Sequence, residues 1–345
     1  MTTLTKTKPV EYLTDHVPEP GDVYEVLPGI QWIRMPLPFQ LDHINLWMME
    51  EEDGWVLVDT GINNNRTKEI WRDIFGRLLK GKPLKRLICT HAHPDHLGLG
   101  GWLHTEYGAE LVITREEWTF GRIVSRGSMA TTEFYHQYLR RVGVQEDELD
   151  DYSQHLVSTE HLYEEVPARY QRLRDGYSIN IGDINWEVIV GLGHAMEHAC
   201  LYCEKLNVLI AGDQVLPKIS PTILVHSHEP KANPLKDFLD SNKKLRRLPD
   251  SVTVLPSHNR PFTGLHTRLD QIIAHHDERL EMVRNICEEP LSGFEVAKRL
   301  FPQELDQSGK FFATGEAISH IRYLEYEGKL KRTENPDGIE CFQCV

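Results

Sequence analysis

The chain has 345 residues, enough for one large domain and a smaller one around a well-buried core. Thirty-eight Lys and Arg stand against 52 Asp and Glu, and a formal charge of −14 argues against a general nucleic-acid binder, whose phosphate contacts need clustered cations. No apolar run is long enough to cross a bilayer and the opening "MTTLTKTKPVEYLTDHVPEPGD" lacks a leader's apolar stretch, so the expectation is a cytoplasmic protein with no membrane contact.

Residues 1–21 read as a polar, Pro-bearing tail. From Asp22 to Asp59 the text is strand-like, with a hairpin expected to turn at Asp53-Gly54 and a buried strand in "GWVLVDTG". A helix follows in "NRTKEIWRDIFGRLLKG", where Ile70, Ile74, Phe75 and Leu78 recur at helical spacing until Gly81 and Pro83 stop it. The apolar strand "LKRLICT" then delivers the chain into His91; "GGWLHTEYG" reads as a helix and "AELVIT" as a strand. Residues 115–170 are charged, aromatic and helical in pattern, and read as an insertion. Its Trp118, Phe120, Phe134, Tyr135 and Tyr138 either roof a pocket or pack the insertion down; pockets and cores use the same residue types. Strands resume in "YSINIGDINWEVIVGLG" and "CLYCEKLNVLIAGD", then the helix "LKDFLDSNKKLRRLP" and the strand "VTVLPSH". The basic run Lys243–Leu248 reads as a solvated helix face.

Beyond Arg268, residues 268–345 suggest three helices and a two-stranded hairpin turning at Asp337-Gly338, a winged-helix-like module. Ser292 and Glu295 form a capping box for the second helix, and Thr314 is read as the cap of the third. Residues 270–345 hold nine Lys and Arg against fifteen Asp and Glu, so packing or a homodimer contact suits the module better than RNA. The six cysteines are expected as thiols: Cys200 and Cys203, three apart on a strand, face opposite sides of a sheet. A zinc site built from that pair and from Cys341 and Cys344 is the alternative.

The segment with chemistry in it is "THAHPDHLG", Thr90 to Gly98. Two metals a few ångströms apart need two facing sets of nitrogen ligands and an oxygen ligand near both. In an extended stretch His91 and His93 project to one side, and the turn at Pro94 aims Asp95 and His96 elsewhere. Later strand ends must then complete two sets, and three present candidates: His194 after "VIVGLG", Asp213 after "VLIAG" and His258 after "VTVLPS". His198 competes with His194, but His194 follows its strand directly and His198 is better placed to steady the site from behind. His275 and His276, adjacent on a helix, diverge by about 100° and cannot share a site.

Together "LVDTG", "THAHPDHLG", "GHAMEH", "AGD" and "LPSH", in this order, resemble the metallo-β-lactamase superfamily over about Asp22–His266. The resemblance implies an α+β, αββα sandwich in which His91, His93 and His194 hold one divalent ion, Asp95, His96 and His258 a second, and Asp213 bridges both. It also implies that Asp59 steadies the ligand loop and that Asp95 and Asp213 are the catalytic carboxylates around a bridging hydroxide. Zinc is the expected metal, with iron or manganese compatible with the same ligands. One departure is that His258 sits in "PSHNRP", where many relatives have Gly-His-Gly. The branch most resembled, hydroxyacylglutathione-hydrolase-like or acyl-thioester hydrolase, implies a small-molecule acyl ester or thioester substrate. Lactone hydrolysis, a winged-helix-bearing ribonuclease and a metal-retaining, non-catalytic binding protein are the alternatives. No G-x-S-x-G follows a strand, which speaks against a serine hydrolase.

Overall fold

A computed structural model describes residues 9–127 and 132–345; residues 1–8 of the expected tail and 128–131 of the expected insertion lie outside the described residues. In chain order the first half holds β1 (Glu11–Tyr12), β2 (Val23–Leu27), β3 (Ile30–Pro36), β4 (His43–Glu51), β5 (Gly54–Val58), α1 (Asn65–Leu78), β6 (Leu84–Ile88), α2 (Pro94–Leu97), α3 (Gly100–Tyr107) and β7 (Glu110–Ile113). The insertion follows as α4 (Arg115–Val124), α5 (Thr132–Val142) and α6 (Leu149–Glu160). Next come β8 (Gln171–Arg172), β9 (Ser178–Ile181), β10 (Ile184–Gly191), β11 (His198–Cys203), β12 (Val208–Gly212), α7 (Pro234–Leu245), β13 (Thr253–Pro256) and β14 (Phe262–Thr263). The chain closes with α8 (Leu265–Ile286), β15 (Leu291–Ser292), α9 (Gly293–Leu300), α10 (Gln307–Tyr326), β16 (Leu330–Glu334) and β17 (Glu340–Cys344).

Two seven-stranded sheets, ordered β2-β3-β4-β5-β6-β7-β8 and β1-β14-β13-β12-β11-β10-β9, pack face to face with helices outside both, the expected αββα sandwich. The strand period of two sorts the side chains into these layers. On β4 and β5, Trp47, Met49, Val56 and Val58 point between the sheets, where they meet Trp186, Val188, Leu201 and Ile210. Leu46, Met48, Trp55 and Leu57 point the other way, under Trp71, Ile74 and Phe75 of α1. Cys200 and Cys203 split likewise, one under the outer helices and one between the sheets, and all six cysteines are free thiols. The parallel pairs β5–β6 and β12–β13 each need a crossover, supplied by α1 and α7, so the C-terminal ends of these strands emerge on one edge.

Several elements differ from expectation. Residues 11–12 are no tail: β1 pairs with β14, and Arg260 stacks on Tyr12 at 4.1 Å and pairs with Asp15 at 2.8 Å. The β4–β5 hairpin turns at Glu52-Asp53, one residue early, because Gly54 already lies in the strand; a Cβ there would come within 2.5 Å of the Lys85 side chain and 2.8 Å of the Pro83 carbonyl. The last long helix begins at Gln307, capped by Asp306 accepting from the Gly309 N–H at 2.7 Å, so Thr314 is interior and bonds the Tyr152 hydroxyl at 2.9 Å. Gly309 and Gly315 obscure the helical period there; Gly315 is the point where Leu224 crosses the helix, 3.1 Å from where a Cβ would sit. The boundary expected at 268 falls inside α8, whose Leu265, Leu269 and Ile272 belong to one core with Val254 and Phe262 of the sandwich and Ala317 and Ile321 of α10. The Ser292–Glu295 capping box is present, and the cations of the Lys243–Leu248 run pair outward with Asp240, Asp175, Asp270 and Glu187.

Candidate metal centre

Five strand ends deliver the polar residues to one edge of the sandwich. Asp59 follows β5 in the left-handed region (φ 62°), a conformation that Asp and Asn tolerate better than most side chains. Its carboxylate, 2% exposed, accepts from the Thr90 backbone N–H at 2.8 Å, from Thr90 Oγ1 at 2.9 Å and from His96 Nδ1 at 2.8 Å. That single acid fixes both ends of the histidine loop. Gly193, at φ 93°, lets β10 turn into His194 against α7; a Cβ there would meet the Pro234 carbonyl at 2.3 Å and Phe238 Cβ at 2.5 Å.

The ligand-type atoms fall into two groups. In His91, His93, His194 and Asp213, and again in Asp95, His96 and His258, they lie within 4.8 Å of one another. Asp213 stands between the groups, with its oxygens 3.4 Å from His194 Nε2, 3.5 Å from His96 Nε2 and 3.3 Å from His258 Nε2. Every residue named from the sequence as a ligand is therefore in the cluster. The CxxC pairs form no such group among the described residues.

The outer partners decide which nitrogens face inward. His194 Nδ1 donates to the Thr222 carbonyl at 2.8 Å, His258 Nδ1 to the His43 carbonyl at 2.7 Å and His96 Nδ1 to Asp59. Thr90 Oγ1, itself donating to Asp59, accepts from His91 Nδ1 at 3.0 Å. Held so, the four rings turn Nε2 towards the centre, and two of these atoms, on His91 and His194, are only 3.2 Å apart. Nitrogens that close, with His93 Nδ1 a further 2.8 Å from His91 Nε2, need a proton or a metal cation among them. His96 Nε2 and Asp213 Oδ1 are buried with no hydrogen-bond partner, the signature of atoms awaiting an electrophile. The donor set, imidazole and carboxylate on a dry strand edge, fits divalent ions.

Protonation follows the same split. Burial, then the neighbouring imidazoles, drives His91 and His93 well below the usual histidine range. Burial also opposes charge on His96, but Asp95, Asp59 and Asp213 overcome it and raise its pKa well above normal. His258 rises for the same reason, with Asp213 the principal partner. Asp213, despite burial, is held well below the usual carboxylate range by His258 and His96. In the second group, then, the carboxylates favour the protonated imidazoles.

His198 is not turned into the cluster. Its Nε2 accepts from the Asp213 backbone N–H at 3.0 Å, and burial lowers its pKa to about 3, so it steadies Asp213 as a neutral ring. Three contributors were not read from the sequence. Thr90 ties Asp59 to His91 and His96, His43 supplies the carbonyl behind His258, and Glu117 reaches from α4 to accept from the Ala92 and Glu197 N–H groups at 2.7 and 2.9 Å. Thr90 adjoins the motif and was legible by position; the other two act across more than twenty residues of chain and carry no local signal.

A cleft of ≈ 260 Å³ opens beside His93 and His194, walled by Phe120, Leu192, Met196 and Leu224 and edged by His226 and His228. Of the five insertion aromatics only Phe120 lines it. Trp118 stacks on Tyr170 at 4.6 Å, Phe134 is 52% exposed, and Tyr135 and Tyr138 pack against Phe294, Ile318 and Val225 of the far module and its loop. Most of the roof is packing.

Residues 40–258 match the family model of the Metallo-beta-lactamase superfamily, and residues 280–345 match that of the Metallo-beta-lactamase-like, C-terminal domain. The chain belongs to the metallo-β-lactamase superfamily. A beta-lactamase domain protein from Burkholderia ambifaria superposes with a TM-score of 0.90 at 39% identity, over 97% of this chain and 98% of that one. The metallo-beta-lactamase family protein TTHA1429 from Thermus thermophilus gives 0.79 at 28% identity, over 93% and 100%. Among curated proteins, the probable metallo-hydrolase YqjP of Bacillus subtilis (strain 168) is 26% identical over 86% of this chain and 92% of its own length. A linear primary-alkylsulfatase of Pseudomonas sp. (strain ATCC 19151) is 24% identical over 83% of this chain but only 53% of its own length. Family and cluster together place the chain among the metal-dependent hydrolases. No helix among the described residues is long and apolar enough to cross a membrane.

Proposed function

We propose that the protein is a two-metal hydrolase of a small-molecule acyl thioester or ester. The observation that carries this reading is the pair of ligand groups sharing Asp213 next to a largely apolar cleft. His91, His93 and His194 with Asp213 would hold one ion, and Asp95, His96 and His258 with Asp213 the other, zinc being the metal that mixed imidazole and carboxylate donors suit best. Bound there, the ions would supply Lewis acidity and bring the ionisation of water into the neutral range. The chain's own residues do the rest. Asp59, Thr90, Thr222 and the His43 carbonyl pre-set the imidazole tautomers, so nothing reorganises when substrate arrives. Asp95, with Oδ2 3.5 Å from His258 Nε2, is placed to orient a nucleophilic water by accepting its hydrogen bond. Phe120, Leu192, Met196 and Leu224 offer an acyl chain an apolar wall and exclude water from the scissile bond.

The C-terminal helices and their three-stranded sheet, winged-helix-like in element order, serve in this reading as a brace for the cleft loop rather than as a nucleic-acid reader. Arg322 donates to the Pro230 carbonyl at 3.1 Å, Tyr326 to the Lys231 carbonyl at 2.7 Å, and Ser220 meets His276 at 3.0 Å. Similarity to an alkylsulfatase favours sulfate esters as the second reading. The test is thiol release from a panel of acyl-thioesters by the metal-loaded protein, with His93→Ala and Asp213→Asn as controls and alkyl sulfates alongside. Release that both substitutions abolish supports the thioesterase; sulfate release without thiol release would replace it with the second reading.

A further inference from the structure

The cleft carries an electrostatic bias that narrows the substrate class, an inference that rests on the hydrolase reading above. Its lining residues include three carboxylates, Glu117, Glu229 and Asp237, and no Lys or Arg. Glu117 is spent on backbone N–H groups deep in the wall. Glu229 and Asp237 lie exposed at the mouth, and neither has an ion-pair partner among the described residues. Lys236, beside Asp237 and acting on it, is paired with Asp240, Lys244 pairs with Asp175 at 2.9 Å, Arg322 pairs with Glu325 and Glu340 at 2.7 and 2.8 Å, and Lys231 of the same loop does not line the cleft. His226 and His228 stand on the rim beside these two carboxylates. Those two rings stack at 5.2 Å, and Phe120 lies 6.1 Å from His228, so aromatic faces stand beside the free carboxylates. Aromatic faces next to acids that lack an ion-pair partner attract a weakly hydrated cation and repel a phosphate, sulfonate or sulfate.

We propose that the cleft selects substrates whose portion away from the scissile bond is cationic or neutral, ammonium-bearing above all, and that Glu229 and Asp237 determine this selectivity. Anionic carriers bearing phosphates, and polynucleotides, are disfavoured by the same geometry.

The test uses the metal-loaded full chain and three butyryl thioesters matched in shape. Their leaving groups are 2-mercaptoethyl-trimethylammonium, 3,3-dimethylbutanethiol and 2-mercaptoethanesulfonate. The expected kcat/KM falls in that order, with about tenfold or more between the ends at low salt and less as ionic strength rises. The Glu229→Gln, Asp237→Asn double variant should shrink the ratio between the ammonium and sulfonate esters severalfold. Calorimetric binding of the corresponding non-hydrolysable butyramides reads the same order without turnover. A sulfonate bound or turned over as well as the ammonium compound, or a ratio unmoved in the double variant, overturns the proposal. The expected binding order with no thioester turned over would instead overturn the thioesterase reading and leave the selectivity standing.

Discussion

Replacing Asp59 by Asn changes one atom in the support of the centre and should weaken half of it. Asparagine keeps the left-handed backbone at φ 62°, so the loop is not rebuilt. Its carbonyl oxygen can still accept from the Thr90 N–H, as Asp59 does at 2.8 Å. Its NH2 then faces His96 Nδ1, now 2.8 Å from the carboxylate, and two donors cannot share that contact. His96 escapes by moving its proton to Nε2, the atom that lies 3.6 Å from Asp95 and 3.5 Å from Asp213. A protonated Nε2 offers no lone pair, and loss of an outer partner of this kind costs about 10–100-fold in metal affinity, or roughly 1.4–2.7 kcal/mol. The loss should fall on the Asp95, His96, His258 group alone, because His91 and His194 keep their Nδ1 partners, Thr90 Oγ1 and the Thr222 carbonyl. Competition with a chromophoric zinc chelator reads the two affinities separately: one site close to wild type, one weakened by that factor. Two sites of wild-type affinity in Asp59→Asn would refute the tautomer argument, and with it the role given to Asp59.

Gly193→Ala should destabilise the fold by about 3 kcal/mol, combining left-handed strain with overpacking against Pro234 and Phe238, as measured by urea unfolding; an unaffected midpoint would mean the β10–His194 turn is not as tight as described. In the metal-free protein His96 and His258 have raised pKa values, so their attraction to the carboxylates stabilises the fold fully below the ordinary histidine pKa of about 6.5 and fades as pH climbs through the raised values. Ion binding displaces those protons, so affinity should rise with pH over the same window, and calorimetry in two buffers of different ionisation enthalpy should detect proton release; none released would contradict the assignment. His320→Ala removes the acceptor of His276 Nδ1, 3.2 Å away in the buried chain Ser220–His276–His320, and should cost about 1–3 kcal/mol by thermal or chemical unfolding. A neutral result there would show that the chain is not a brace.

How much of this was legible in the sequence depends on the range over which each signal acts. The ligand residues announce themselves because a strand that emerges from a core must end in something, and here the ends are His91, His194, Asp213 and His258, each after an apolar run. Strand periodicity likewise foretold that Cys200 and Cys203 would part to opposite faces, since alternation is a property of the backbone alone. The layered sandwich was implied by the family resemblance that the ordered motifs carry. Other features were decided only in three dimensions. That Glu11–Tyr12 joins a sheet depends on a free edge at β14, some 250 residues away in sequence. Asp306 rather than Thr314 caps the last long helix because packing of Gly315 beneath Leu224 and of Thr314 against Tyr152 outweighs the weak helical propensity of the glycines. The tautomers at the centre come from carbonyls of His43 and Thr222, groups every residue possesses and no sequence pattern marks. Side-chain identity determines which atoms can bind; only the folded backbone determines which way their lone pairs face.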